Sequence, residues 1–118
     1  MRVLIIEQEK TIQNSLSLFL GSQKNCEVLS AATRKEGVYL WSAFPCDLVI
    51  CNDRLPDGSG LEMLKEFSRQ DPKVISILMT VRSDDLLRQE ALKAGIKAYL
   101  EKPFNLHQLE EAMAVIRP

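Results

Sequence analysis

Residues 47–60 read DLVICNDRLPDGSG, and this stretch decides the fold. The continuous apolar run over 48–51 is typical of a strand that is buried on both faces, as in a parallel sheet. Asn52 and Asp53 end the run, and a loop dense in turn-forming residues follows over 54–60. A buried strand that stops at polar residues indicates an α/β protein whose functional groups lie beyond the strand ends.

The same alternation of apolar runs and amphipathic stretches extends along the whole chain. Strands are predicted at 2–6, 26–31, 47–51, 74–79 and 96–100, and helices at 9–20, 34–43, 61–69, from Ser83 or Asp84 to Gly95, and at 105–116. Five β-α units with short connections require one parallel sheet with helices on both faces. We therefore predict the flavodoxin-like doubly wound (βα)5 fold, with a five-stranded parallel sheet in the order 2-1-3-4-5.

Capping signals support two of the predicted helix starts. Thr33 is followed three residues later by Glu36, which is the spacing of a capping box. Asn105 precedes the last helix and is a favoured N-cap residue.

The bulk composition fits one domain and excludes several classes of protein. The 118 residues carry 15 basic and 16 acidic side chains, so charge gives no argument for a nucleic-acid or membrane partner. The first apolar run, over 3–6, is too short for a signal peptide or a membrane span, so a cytoplasmic location is expected. The three cysteines are odd in number and lack CxxC spacing, which favours reduced thiols.

Polar residues at the ends of the predicted strands form the candidate site. In an open parallel sheet, ligands bind beyond the carboxyl ends of the strands, near the point where the strand order reverses. The residues at those positions are Glu7, Gln8, Asn52, Asp53, Thr80 and Lys102.

Four segments carry a specific resemblance to a known family. They are VLIIEQE at 3–9, DLVICNDRLPDGSG at 47–60, ILMTVRSDD at 77–85 and ALKAGIKAYLEKPF at 91–104. In order and spacing they are similar to the signature regions of response-regulator receiver domains, the CheY-like superfamily. The third-strand loop and the last segment most resemble receivers attached to sigma-54-type transcription activators. The resemblance covers the chain and implies a single receiver domain over 1–118, which could be the N-terminal part of a longer regulator.

The resemblance implies a pocket that takes up a phosphoryl group. In this family, carboxylates after the first strand bind Mg²⁺, an aspartate at the end of the third strand accepts the phosphoryl group, and a lysine and a hydroxyl contact it. Thr80 matches the switch hydroxyl, Tyr99 matches the switch aromatic residue, and Lys102 matches the lysine that precedes a usually cis proline. Glu7 matches the first acidic position and is a weak candidate for a metal ligand. The alternative for these residues is a purely structural role.

Two positions depart from the family pattern. Gln8 stands where the main metal-binding aspartate is usual, and Asn52 stands at the phosphoacceptor position. A unit charge lost at about 4 Å from a cation is worth ~4 kcal/mol at an effective dielectric of about 20, so Mg²⁺ binding is expected to be weak or absent. Because an amide is a poor nucleophile, no phosphoryl transfer to Asn52 is expected. Lys102 is expected to pair with Glu7 or to bond the amide oxygens.

Asp53 is the nearest carboxylate that could replace the missing acceptor. Successive strand residues point to opposite faces, so Asp53 should point away from a pocket that Asn52 faces, towards a helix terminus or solvent. We therefore do not expect Asp53 to be the acceptor.

These features predict a pseudo-receiver, with no catalytic residue, no cofactor and no enzymatic activity. It would act through a protein partner, an output domain or a homodimer, and the resemblance implies the face of the fourth helix, fifth strand and fifth helix. An exposed member of the Leu86-Leu87 pair would suit such a face. The alternatives are a working phosphoreceiver, with another carboxylate as acceptor or with Asn52 as an engineered replacement of aspartate, and a flavin-phosphate binder. The acidic, glycine-free loop at 7–11 disfavours the latter.

Overall fold

A computed structural model describes residues 1–82 and 84–114 of the chain. The predicted start at Ser83 and the predicted end of the last helix at Ile116 lie outside these residues. The strands are β1 (Arg2–Ile6), β2 (Glu27–Ala31), β3 (Leu48–Asn52), β4 (Arg54–Leu55), β5 (Gly58–Ser59), β6 (Ile75–Thr80) and β7 (Ala98–Glu101). The helices are α1 (Lys10–Gly21), α2 (Arg34–Ala43), α3 (Gly60–Gln70), α4 (Asp85–Lys93) and α5 (Leu106–Ala114).

The five long strands form one parallel sheet in the order β2-β1-β3-β6-β7. This is the predicted order 2-1-3-4-5 once the short pair β4 and β5 is left out, and the predicted fold is confirmed. The strand order reverses between β1 and β3, so the carboxyl ends of these two strands flank the crevice in which such folds bind ligands.

Strand alternation divides the core into two layers, one on each face of the sheet. Val49 and Cys51 pack towards α2, α3 and α4, whereas Leu48 and Ile50 pack towards α1 and α5. All five residues of β3 are buried, as the apolar run predicted. The central strand is therefore rigidly held, and the direction in which each residue at its end points is fixed by the same alternation.

The turn-rich segment after β3 differs from the predicted loop because it folds into a small antiparallel hairpin. Arg54 pairs with Ser59 and Leu55 with Gly58, which is at a positive φ of 147°. Gly60 then begins α3 in close contact with β3, since a Cβ there would lie 1.9 Å from the carbonyl oxygen of Asn52. Only glycine allows α3 to start this close to the strand end.

Both predicted caps are present at the helix starts. The Thr33 hydroxyl accepts a hydrogen bond from the Glu36 N–H, and the Glu36 carboxylate accepts one from the N–H of Ala32. Asn105 and Gln108 bond each other's backbone N–H groups through their side-chain oxygens. Each exchange satisfies one backbone donor in the first turn of the helix and one just before that turn.

The cysteines occur as thiols, as their number and spacing favoured. Cys26, Cys46 and Cys51 are not joined in disulfide bonds, and burial raises the pKa of the Cys46 and Cys51 thiols. Within 1–82 and 84–114, no helix is both long enough and apolar enough to cross a bilayer.

Candidate functional site

The carboxyl ends of β1, β3, β6 and β7 lie along one edge of the sheet because the strands are parallel. Glu7 and Gln8 follow β1, Asn52 ends β3, and Thr80 ends β6. Lys102 follows β7 and is joined to Pro103 by a cis peptide bond. The structure links the side chains of Glu7 and Lys102 and those of Gln8 and Asn52, whereas the Thr80 hydroxyl bonds the backbone of Arg82.

Glu7 and Lys102 form a buried ion pair. Their side chains are 0% and 6% exposed, and the Lys102 ammonium donates to Oε1 of Glu7. The second carboxylate oxygen of Glu7 accepts from the N–H of Glu9 at 3.1 Å. Of the two arrangements open to Lys102 from the sequence, the structure has the one with Glu7, and both oxygens of that carboxylate are engaged.

Gln13 on α1 holds the backbone at this point. Its side-chain amide is buried and donates to the carbonyl oxygens of Glu7, at 3.0 Å, and Ala31, at 3.1 Å. These bonds tie the ends of β1 and β2 to α1. The position of the Glu7 backbone is therefore fixed by a residue of the first helix.

The two side-chain amides at positions where the resemblance implies carboxylates, Gln8 and Asn52, bond each other and one backbone carbonyl. Asn52 Nδ2 donates to Gln8 Oε1 at 3.0 Å and to the carbonyl oxygen of Arg54 at 2.8 Å. Gln8 Nε2 donates to the same Arg54 oxygen at 2.9 Å. One carbonyl oxygen thus receives two N–H groups from the two side chains, and we call these three groups the amide cluster.

The amide cluster does not fit a Mg²⁺ ion. Such an ion is bound by oxygens, preferably carboxylates, and N–H donors at the same oxygens oppose it. The charge of Glu7 is already balanced by Lys102. In the described part of the chain, no three His, Cys, Asp or Glu side chains are close enough to hold a metal ion.

The two switch-type residues, Thr80 and Tyr99, both bond the backbone of Arg82. Thr80 is fully buried, and its hydroxyl oxygen accepts from the Arg82 N–H at 3.0 Å. The Tyr99 hydroxyl donates to the Arg82 carbonyl oxygen at 3.0 Å, and burial raises the pKa of Tyr99. The guanidinium of Arg88, on α4, lies 5.0 Å from the centre of the Tyr99 ring.

The Asp53 side chain lies on the other side of β3 from the amide cluster, and solvent, one of the two surroundings expected for it from the sequence, is excluded. It points away from the side that Asn52 faces, as strand alternation requires, but it does not reach solvent. Its side chain is 2% exposed and accepts two hydrogen bonds from the Arg82 guanidinium, at 3.2 and 3.0 Å. A buried carboxylate bonded in this way is a poor nucleophile, because attack requires it to leave its partner.

Asp57 also has a fixed structural partner. From the turn between β4 and β5, its carboxylate accepts from the N–H groups of Arg34, at 2.7 Å, and Lys35, at 3.0 Å, in the first turn of α2. These bonds hold the pKa of the Asp57 carboxyl below its ordinary value. The hairpin is therefore fastened to α2 by a charge at the helix N-terminus, where a negative charge is favourable.

We expect Asp57→Asn to lower the free energy of unfolding at pH 7, because the neutral amide keeps at most one of the two bonds and loses the charge. Since the pKa of Asp57 is lower in the folded than in the unfolded state, its contribution is present above the unfolded pKa of about 3.9 and is lost as the pH falls through the folded value. Urea unfolding from pH 7 to pH 3 measures this. A stability deficit that stayed constant over this range would contradict it, and Glu90→Gln, at an exposed carboxylate on α4, is the control.

Three parts of the site were not found from the sequence. Gln13 gives no signal of its own, because a polar residue on an amphipathic helix normally faces water. The Arg54 carbonyl is backbone and carries no sequence signature. Arg82 had a usable signal, since it and Asp53 are opposite charges just beyond the ends of the neighbouring strands β6 and β3.

Comparisons with known proteins agree with the fold. The family profile described as "Response regulator receiver domain" matches residues 3–114. The response regulator protein PilR of Pseudomonas aeruginosa is 34% identical over 113 residues, which are 96% of this chain and 25% of that protein. The KDP operon transcriptional regulatory protein KdpE of Escherichia coli is also 34% identical over 113 residues, 96% of this chain and 49% of that protein.

A solved structure shares the fold closely. The crystal structure of a response regulator receiver domain protein (CheY-like) from Methanospirillum hungatei JF-1 has a TM-score of 0.88 and 29% identity, and the match covers 96% of this chain and 90% of that one. The chain therefore spans from about a quarter to about half of the two curated relatives but nearly all of the solved domain.

Proposed function

Because this chain belongs to the response regulator receiver domain family, we propose that it serves two-component signal transduction as a pseudo-receiver, which regulates a protein partner without accepting a phosphoryl group. The domain would then be a binding module with no enzymatic activity. The proposal concerns the two positions at which the sequence departs from the family, Gln8 and Asn52.

The observation that carries this proposal is the amide cluster. Its side chains satisfy each other and the Arg54 carbonyl, so the place of a metal ion and its carboxylate ligands is filled by neutral groups that need no ion. Removing the carboxylates also removes their mutual repulsion, which in other receivers a cation must offset. The cluster is therefore stable by itself.

The charge of the pocket leads to the same conclusion. Glu7 and Lys102 neutralise each other, so the group of side chains at this edge has no net charge to attract a divalent ion. Asn52 offers an amide in place of a nucleophilic carboxylate. Of the nearby carboxylates, Asp53 is bonded to Arg82 and Asp57 to the start of α2.

The proposed partner surface is the face formed by α4, β7 and α5. On α4, Leu86 and Leu92 are 69% and 68% exposed, while Leu87 is buried, so one member of the leucine pair faces outwards. A second copy of the chain, a separate protein or an output domain would cover such apolar residues favourably. A role in transcription control belongs to this proposal, since the relatives include transcriptional regulatory proteins that are about twice as long as this chain.

Intact-mass measurement after incubation with acetyl phosphate and Mg²⁺ tests the proposal. We expect no added phosphoryl group, and calorimetric titration with Mg²⁺ should give no binding heat at millimolar concentration. Gln8→Asp combined with Asn52→Asp, which restores both carboxylates, is the positive control for the phosphoryl donor. A stable gain of one phosphoryl group on the unsubstituted protein would overturn the proposal, and peptide mapping of Asp53, Glu7 and Asp57 would locate it.

A further inference from the structure

Asp53 and Arg82 form a second ion pair at the same edge of the sheet, separate from the amide cluster. Both Nε and Nη2 of Arg82 donate to one carboxylate oxygen, Asp53 Oδ2, at 3.2 and 3.0 Å. The Asp53 side chain is 2% exposed and that of Arg82 is 36% exposed. A carboxylate removed from water to this degree requires a charged partner, so the guanidinium is strongly held.

The anchor of this pair is rigid. The Asp53 N–H donates to the Met79 carbonyl oxygen of β6 at 2.8 Å, and the Asp53 carbonyl oxygen accepts from the Gly60 N–H of α3 at 2.8 Å. Asp53 is thus fixed to a strand on one side and a helix on the other. Arg82, which follows the end of β6, is in turn positioned by Asp53.

The backbone of Arg82 is the point at which the two switch-type residues meet. Its N–H donates to the Thr80 hydroxyl oxygen, and its carbonyl accepts from the Tyr99 hydroxyl. The guanidinium also lies 3.7 Å from Asp84, whose side chain caps α4 by accepting from the N–H groups of Leu86 and Leu87. One arginine therefore connects the ends of β3 and β6, the tyrosine of β7 and the start of α4.

We propose that the Asp53–Arg82 ion pair is an internal latch, which holds Thr80, Tyr99 and the start of α4 in one arrangement without a phosphoryl group. The inference rests on the proposed function, because it gives the α4-β7-α5 face a fixed shape that does not depend on phosphorylation. In the latch, the Thr80 hydroxyl is already bonded to the Arg82 N–H. The position of Tyr99 depends on that of Arg82, because the Tyr99 hydroxyl bonds the Arg82 carbonyl oxygen. Asp53 and Arg82 are positioning residues that hold the proposed partner surface, the α4-β7-α5 face, in place.

Fluorine NMR of protein labelled with 3-fluorotyrosine tests the latch. The chain has two tyrosines, of which Tyr39 is 69% exposed, and Tyr39→Phe assigns the other resonance to Tyr99. We expect both Asp53→Ala and Arg82→Met to move the Tyr99 resonance towards the position of the exposed Tyr39. The double variant should show no larger shift than the greater of the two single shifts, since both changes remove the same pair. Arg69→Met, which breaks the exposed pair with Glu66 on α3, should leave it in place.

Arg82→Met leaves the buried Asp53 carboxylate unpaired and could prevent folding. Asp53→Ala keeps the test valid in that case, because it removes the buried charge and the partly exposed Arg82 guanidinium can return to water. A Tyr99 resonance that stays unchanged in folded Asp53→Ala protein would overturn the latch. Acetyl phosphate and intact mass, applied to the same samples, test the proposed function separately. A phosphoryl gain by the unsubstituted protein would contradict the proposed function. A Tyr99 resonance that stays in place in the variants would contradict the latch, whether or not the mass changes.

Discussion

Lys102→Met is expected to lower the free energy of unfolding by about 3–5 kcal/mol, which is the usual cost of removing one partner from a buried ion pair. The Glu7 carboxylate is 0% exposed, so without Lys102 it would keep only the bond from the N–H of Glu9. Natural domains are stable by about 5–15 kcal/mol, so the loss is a large fraction of the total. Urea unfolding at pH 7, followed by circular dichroism, measures it.

Two further variants separate the buried charge from the general effect of losing a lysine. Glu7→Gln combined with Lys102→Met leaves no unpaired charge and should recover a substantial part of the loss, since neutral replacements of a buried pair are often tolerated. Lys65→Met removes a more exposed lysine that pairs with Glu62 within α3, and it should cost at most about 1 kcal/mol. If Lys102→Met cost no more than Lys65→Met, the pair would not be the structural tie that its burial indicates.

Gln8→Asp combined with Asn52→Asp is expected to create Mg²⁺ binding and phosphorylation by acetyl phosphate. The two changes remove the N–H donors from the Arg54 carbonyl and add two negative charges beside the balanced Glu7–Lys102 pair. At about 4 Å and an effective dielectric of about 20, each added charge contributes ~4 kcal/mol of attraction per unit charge of the cation, before solvation is counted. If one third of this ~4 kcal/mol remains after the cost of desolvation, the Mg²⁺ affinity rises about tenfold for each substitution.

The single variants show which of the two properties each position controls. Gln8→Asp should bind Mg²⁺ more tightly than the unsubstituted protein but gain no phosphoryl group, because position 52 still lacks a nucleophile. Asn52→Asp supplies the nucleophile with a weaker metal site, so it should react more slowly than the double variant. Calorimetry and intact mass measure the two properties on the same samples. A double variant that bound Mg²⁺ but gained no phosphoryl group would mean that the pocket has lost more than these two carboxylates.

The fold could be predicted because its signals are local and repeated. The buried run of β3, the amphipathic periods of the helices and the caps at Thr33 and Asn105 each follow from a few neighbouring residues. Their alternation leaves few chain topologies open. At the majority of strand and helix ends, the observed bound differs from the predicted one by one or two residues. The segment after β3 was expected as a loop because its hairpin strands have two residues each, too few to show a pattern.

The positions of the candidate site could also be predicted, since parallel strands bring their carboxyl ends to one edge. The hydrogen bonds and ion pairs within the candidate site could not be predicted from the sequence. The direction in which Asp53 points follows from strand alternation, but its burial depends on whether a cation reaches it, and Arg82 comes from a segment 29 residues away. In the same way, the sequence left two partners open for Lys102, and packing around β1 and β7 decided between them.

The sequence by itself determined the doubly wound fold, the edge of the sheet that holds the site, and the loss of two carboxylates at Gln8 and Asn52, because each of these depends on residue type and spacing along the chain. The tertiary structure alone decided how the polar groups that remain are paired. It brought two amides to the Arg54 carbonyl and a guanidinium to Asp53. The physical reason is that a buried polar group must find a partner, and which one it finds depends on distances between segments that are far apart in the chain.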